Sequence, residues 1–334
     1  MWRSPFLCAG RTGSSLSLRR AFYSTEPTAK TPIKLVAELR KRTDGISIVK
    51  AREALAATNN NLDAALEWLN ADLLASGAKR AAKVQDRFAG EGLISVSLLS
   101  NGGTNAPGAL RAAMIELNCE TDFVGRNDLF AQLAADIAHT AAFMSEAAPT
   151  AFAAYPVEVL NDAPILSASN PNTNPDPSAT VSRAIRDLIA KVGENVVLKR
   201  AVSVVEDPVA DPEHGKRLIS YLHGSVRDAM QGRIGVIGLL NLTSPAALFA
   251  STSARENLER LERALARQIA GFETRSVRSD AKDETALYEQ PFMIAGEFSG
   301  LPVGEALQKW SEANSAKVEV NQFVKWTLGE PVDA

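Results

Sequence analysis

The chain has 334 residues, 46% of them hydrophobic, 22% charged and only 6% aromatic, with a formal net charge of −3. That length suits two or three structural units with a sizeable core, and a charge so near neutral excludes a protein that grips nucleic acid through a general basic excess. Two cysteines, Cys8 and Cys119, cannot build a disulfide framework, and the longest apolar run, at 234–242, is strand length and too short for a membrane helix.

Residues 1–23 hold Arg3, Arg11, Arg19 and Arg20 and no acid; the first acid is Glu26. Ser4, Ser14, Ser15 and Ser17 are interleaved with Trp2, Phe6, Leu7, Leu16, Leu18 and Phe22. An Arg- and Ser-rich, acid-free, amphipathic stretch has the composition of a mitochondrial transit peptide over 1–23, with a disordered basic tail as the other reading. Cleavage near Phe22 would take the net charge from −3 to about −7 and leave Cys119 as the only thiol.

From 33 to 76 the period is helical. Leu35 and Leu39 begin it, Ile46, Ile48 and Val49 precede Leu55, and Leu62, Ala65, Leu66 and Leu69 follow at i, i+3, i+4, i+7. Turns at Asp44-Gly45 and Asn59-Asn60-Asn61 divide the run, with Asn61 placed to cap the third helix. Three helices in so few residues make a small bundle, a form that usually serves as an interaction module. A basic helical connector at 78–84 lies in the linker expected over 77–90.

Beyond it the pattern changes to strands at 93–99 and 109–118, joined by a turn at Asn101-Gly102-Gly103. A helix at 128–144 carries Leu129, Leu133, Ile137 and Ala141 in line. The Pro-rich stretch 148–178 reads mostly as a loop or insertion. A helix from Thr180 ends at Gly193, and strands are expected at 196–205, 217–223 and 233–242. Helices at 254–272 and from Pro302 to Asn314, then a strand at 318–328, complete the order. The expected class is α+β: a three-helix bundle, then a core of two α+β subdomains with antiparallel sheets, at 91–205 and 206–330.

Motifs for bond-making chemistry are scarce. The chain lacks a phosphate-cradling G-x-x-x-x-G-K-[ST] loop. Gly232, Gly235 and Gly238 miss the dinucleotide fingerprint and suit a strand closely approached by another backbone. His139, His214 and His223 lack metal-binding spacing. Cys119 with His223 could be read as nucleophile and base, but a lone cysteine ending an apolar strand is more often a small buried hydrophobe.

The segment from Glu116 to Arg126 stands out, because an apolar strand runs into the polar cluster Glu120-Thr121-Asp122, then Phe123-Val124. An aromatic at such a corner is either a core residue or a projecting wedge beside a carboxylate, shaped for a partner's pocket.

The run Leu117-Asn118-Cys119-Glu120-Thr121-Asp122-Phe123-Val124 resembles the signature of the elongation factor Ts family. The segment Leu35 to Thr43 is similar to the opening of that family's N-terminal module, which has a ubiquitin-associated-like three-helix fold. Gly193-Glu194-Asn195 before Val196, Tyr221-Leu222-His223-Gly224, Arg233-Ile234-Gly235-Val236, Gln290-Pro291-Phe292 and Phe323 to Gly329 follow in the family's order. The resemblance covers about residues 33–330. Four departures accompany it: a longer turn at Thr43 to Ser47, a segment from Asp228 to Arg233 that slightly separates two motifs joined in bacterial members, little room for a helical hairpin before Gln290, and the insertion at 148–178. The last three separate this chain from bacterial members.

The resemblance implies a nucleotide exchange factor for mitochondrial elongation factor Tu, in its GDP-bound and nucleotide-free forms, acting in the mitochondrial matrix. It implies no catalytic chemistry, no cofactor or metal, and neither direct nucleic-acid nor membrane binding. Arg40, Ile48, Val49 and Arg52 would form the face of the N-terminal module, with Ile48 and Val49 open to a second reading as bundle core. Thr121, Asp122, Phe123 and Val124 would enter near the partner's switch helices. His223 and Gly224 match a further contact, against a second reading of His223 as a solvated strand end. A ubiquitin-associated-like adaptor binding a polypeptide is the alternative function.

Overall fold

The computed structural model describes residues 31–332 except 44–45, 103–107, 171–175, 226–228, 281–282, 294–295 and 297, and omits the side chains of 73, 74 and 76. The basic leader at 1–23 and the Asp44-Gly45 turn lie outside the described residues.

Residues 31–71 belong to one compact unit. It contains α1 (Ile33–Arg42), α2 (Ile48–Ala57) and the start of α3 (Leu62–Val84). Asn61 caps α3 as its side chain suggests: its Oδ1 accepts the N–H groups of Asp63 at 3.0 Å and Ala64 at 3.1 Å. The core is small, built from Val36, Leu39, Ala51, Ala54, Leu55, Ala65 and Leu69, so the helices meet largely through alanine and leucine. Residues 78–84, expected as a separate connector, are instead the last turns of α3. With three alanines and no proline, they give the helix no reason to stop.

Residues from Asp72 onward form the second unit. Its first sheet runs in the order β3-β4-β2-β1-β6, all antiparallel, from β1 (Glu91–Asn101), β2 (Leu110–Cys119), β3 (Phe152–Ala154), β4 (Val196–Glu206) and β6 (Gln231–Gly232). The second runs β5-β7-β8, also antiparallel, from β5 (His214–His223), β7 (Ile234–Thr243) and β8 (Lys317–Thr327). Period-two alternation explains the layering. Leu93, Ile115 and Leu117 face α5 (Asp128–Met144) and α7 (Val181–Val192), while Ile94, Val96 and Met114 turn the other way onto Leu218, Leu222, Ile237 and Leu239 of the second sheet. The far side of that sheet is covered by α9 (Thr252–Gly271) and α10 (Val303–Ala313), through Leu258, Leu261, Leu265, Leu307 and Trp310. Sheets buried on both faces account for the continuous apolar run at 234–242.

The expected boundary at 205/206 is therefore crossed by a shared core between the sheets and by β6, which pairs with β1. The glycine triplet needs a similar correction. A Cβ at Gly232 would meet the His223 carbonyl at 2.5 Å, the expected backbone approach, but at Gly235 it would meet Ile94 and Met114 side chains of the facing sheet, and at Gly238 that of Ile219. The stretch 148–178 is not loop throughout, because Phe152–Ala154 pairs with β4 and α6 (Val157–Asp162) buries Leu160. Pro156, whose ring presets φ, stands at the N-cap of α6.

Candidate functional site

The strand-to-helix corner after β2 is made by Thr121, which stays extended and caps α4 (Asp122–Gly125). Val124 is buried in the core cluster that also holds Cys119 and Phe130. One turn of helix cannot bury both its apolar residues on one side, and Phe123 is left 84% exposed. Phe123 is thus the projecting side chain and Phe130 the core aromatic. Asp122, beside it, is half-buried and pairs with Arg126 at 3.1 Å.

Two groups that sequence reasoning passed over hold this corner. Glu194 accepts the Thr121 N–H at 3.0 Å and the Thr121 hydroxyl at 2.6 Å. Glu120 accepts the Asn195 N–H at 2.7 Å, while the Asn195 side-chain amide donates to the carbonyls of Gln85 at 3.2 Å and Arg87 at 2.8 Å. Gly193, left-handed at φ 78°, ends α7 and turns Glu194 toward the corner. The signal was present in Gly193-Glu194-Asn195, but nothing local pairs it with residues more than seventy positions earlier.

The second predicted contact ends β5. His223 is exposed, and Gly224 takes a left-handed φ of 76° that lets the chain leave the sheet. The His223 carbonyl accepts the Arg233 N–H at 2.7 Å, and the Arg233 guanidinium bonds Glu91 at 2.8 Å. Asp122, Arg126, Gly224 and Arg233 line a common cleft of about 150 Å³ together with Gly92 and Gly125. The structure therefore brings together Asp122 and Gly224, about a hundred residues apart in the chain.

In the first unit, Ser47 caps α2 by accepting the Lys50 N–H at 3.2 Å, so Ile48 and Val49 occupy its first turn. They are 48% and 77% exposed, while Ala51, Ala54 and Leu55 fill the core. The bundle-core reading of the pair is corrected accordingly. Arg52 is exposed, whereas Arg40 is half-buried and donates from Nε to the Ile46 carbonyl at 2.8 Å, holding the turn before α2.

Cys119 is fully buried, and its thiol is pushed up to about 12, first by burial and then by the nearby Glu194 and Glu91 carboxylates. A thiol kept protonated cannot serve as the nucleophile considered with His223. Among the described residues no group of His, Cys, Asp and Glu is arranged to hold a metal ion, and no helix is long and apolar enough to cross a membrane.

Residues 120–291, half of the chain, match a family model described as elongation factor TS. A relative named mitochondrial elongation factor Ts from Coprinopsis cinerea is 52% identical, over 93% of this chain and 95% of that protein. One of the same name from Laccaria bicolor is 53% identical, over 97% and 98%. A third, mitochondrial elongation factor Ts 2 from Postia placenta, is 44% identical, over 98% of this chain and all of that protein.

Proposed function

This chain belongs to the elongation factor Ts family of translation elongation factors, and on that premise we propose that it is the guanine nucleotide exchange factor for elongation factor Tu in the mitochondrial matrix. The observation that carries the reading is Phe123, a large apolar side chain held out in solvent beside the Asp122 carboxylate. An exposed aromatic on a fixed corner loses little entropy when it enters a partner's pocket. Ile48, Val49 and Arg52 offer the first unit's docking face, and Arg40 supports it by fixing the turn before α2. The relatives' names support the mitochondrial location.

The mechanism is linkage. Phe123 and Asp122 enter near the switch helices of the GDP-bound partner and disturb the contacts that hold Mg²⁺ and phosphate. His223 and Gly224 make the second contact from the neighbouring strand end. If this protein weakens GDP binding by some factor, GDP weakens its binding by the same factor, so GTP can rebind once GDP has left. No bond is made or broken, and the protein needs no general acid, base or metal of its own.

Stopped-flow release of fluorescent GDP from mitochondrial elongation factor Tu tests this. The wild-type chain accelerates release, and Asp122→Ala with Phe123→Ala does not. A folded wild type that leaves release unchanged would sink the proposal. The exposed Ile48-Val49 pair also suits an adaptor for a polypeptide such as ubiquitin. Binding of ubiquitin by the full chain, without accelerated GDP release, would favour that reading.

A further inference from the structure

Resting on the exchange-factor reading, we propose that Glu194, with Glu120 and Asn195, is a positioning clamp that sets how the Asp122-Phe123 corner projects. The corner cannot hold itself. Its helix has four residues, and a single turn is unstable alone because nucleation costs more order than one hydrogen bond returns. Phe123 gains little packing that could fix its direction, being largely in solvent. Direction must come from Thr121, where the chain turns, and from Val124, which is anchored in the core.

Thr121 is fixed at both its donors. Glu194 takes the backbone N–H on one carboxylate oxygen and the hydroxyl on the other, which removes freedom about the Thr121 side chain as well as its peptide plane. The neighbouring residues complete a reciprocal arrangement, because Glu120 of the corner caps the Asn195 N–H of the opposing turn. Each turn thus contributes a carboxylate that binds a backbone donor of the other. Hydrogen bonds to an ionised acceptor are shorter and roughly twice as strong as neutral ones. Asn195, itself buried, extends the tie to the chain leaving α3 through Gln85 and Arg87. None of these three side chains needs to touch the partner. They act through the residues that do.

The test uses the full chain and the GDP-release assay over a range of concentrations, with Glu194→Ala and the near-isosteric Glu194→Gln. The maximal release rate per folded molecule falls about tenfold for Ala and less for Gln, the size expected for losing charged hydrogen bonds. The half-saturating concentration moves less than the maximal rate. Amide hydrogen exchange rises at Thr121 and Val124 while the sheets stay protected, and Arg183→Ala, near the start of α7 and away from this turn, behaves as wild type. If both Glu194 variants keep the wild-type maximal rate, or lose it only together with protection throughout the second unit, the clamp is overturned. A wild type that fails to release GDP would instead overturn the exchange-factor reading itself.

Discussion

Among the described residues, two places expose large apolar side chains in the first turn of a helix behind a hydroxyl cap: Ile48 and Val49 behind Ser47, and Phe123 behind Thr121. They are supported in different ways. The first lies on a ten-residue helix whose own periodicity sends Ala51, Ala54 and Leu55 into a small core and the preceding pair outward. The second lies on a single turn tied by reciprocal carboxylate bonds to a distant turn of the chain, Glu194 to Thr121 and Glu120 to Asn195. A docking face can come from helical periodicity alone, whereas a wedge that must act at one angle needs external bracing.

The sharpest way to break the comparison is at the wedge. Asp122→Ala with Phe123→Ala should lower the maximal GDP-release rate about a hundredfold in stopped flow, the scale of a lost central anchor. Because Phe123 is exposed, thermal stability should hardly change. Next, Leu55→Ala should destabilise the first unit by about 2–5 kcal/mol, most or all of what so small a core supplies. Amide exchange should then rise across 33–71, with protection in the second unit retained. A third test, Ile48→Ala with Val49→Ala, should raise the half-saturating concentration about tenfold while leaving the maximal rate within about twofold, the converse of the wedge variant.

The smallest effect concerns pH. The Cys119 thiol titrates near its ordinary value of 9.0 when unfolded and at about 12 when folded. The raised folded value means that the unfolded state loses its proton first, so stability is retained below about pH 9 and falls as pH rises toward about 12. Cys119→Ser should flatten that part of the stability-against-pH curve and leave GDP release unchanged. Slow alkylation of the native thiol, against rapid alkylation in denaturant, checks the same burial.

Much of the fold was legible because its elements have clean periods. Leu129, Leu133, Ile137 and Ala141 mark α5, and Asn61 caps α3 as its side chain suggests. What escaped was short or nonlocal. Gln231–Gly232 is too brief to show a period, and its pairing with β1 depends on the two sheets meeting. The segment 152–162 hid a strand and a helix among prolines. At the candidate site, the local signature marked Thr121, Asp122 and Phe123, yet whether Phe123 pointed inward turned on Val124 and Phe130 taking the core positions. Glu194 and Asn195 stood in plain view, but their hydrogen bonds close only when α7 packs beneath the first sheet.

One buried carboxylate ties the segment after β8 to the middle of the first sheet. Glu116 on β2 is fully buried and is met by Arg200 at 2.7 Å, by the Asn118 amide at 3.2 Å and by the Gly329 N–H at 2.9 Å. Arg200 also donates to the Thr327 carbonyl, and Lys199 to that of Glu330, so the segment after β8 closes over this charge. The Glu116 charge is answered within the sheet, by Arg200 and by Lys199 at 3.6 Å on the neighbouring strand β4, and the segment after β8 adds a backbone donor to it. An uncompensated buried carboxylate is costly. Losing the segment after β8 should therefore leave Glu116 paired but take from it the Gly329 donor and from Arg200 its Glu330 partner, loosening β2 and β4 at this seam.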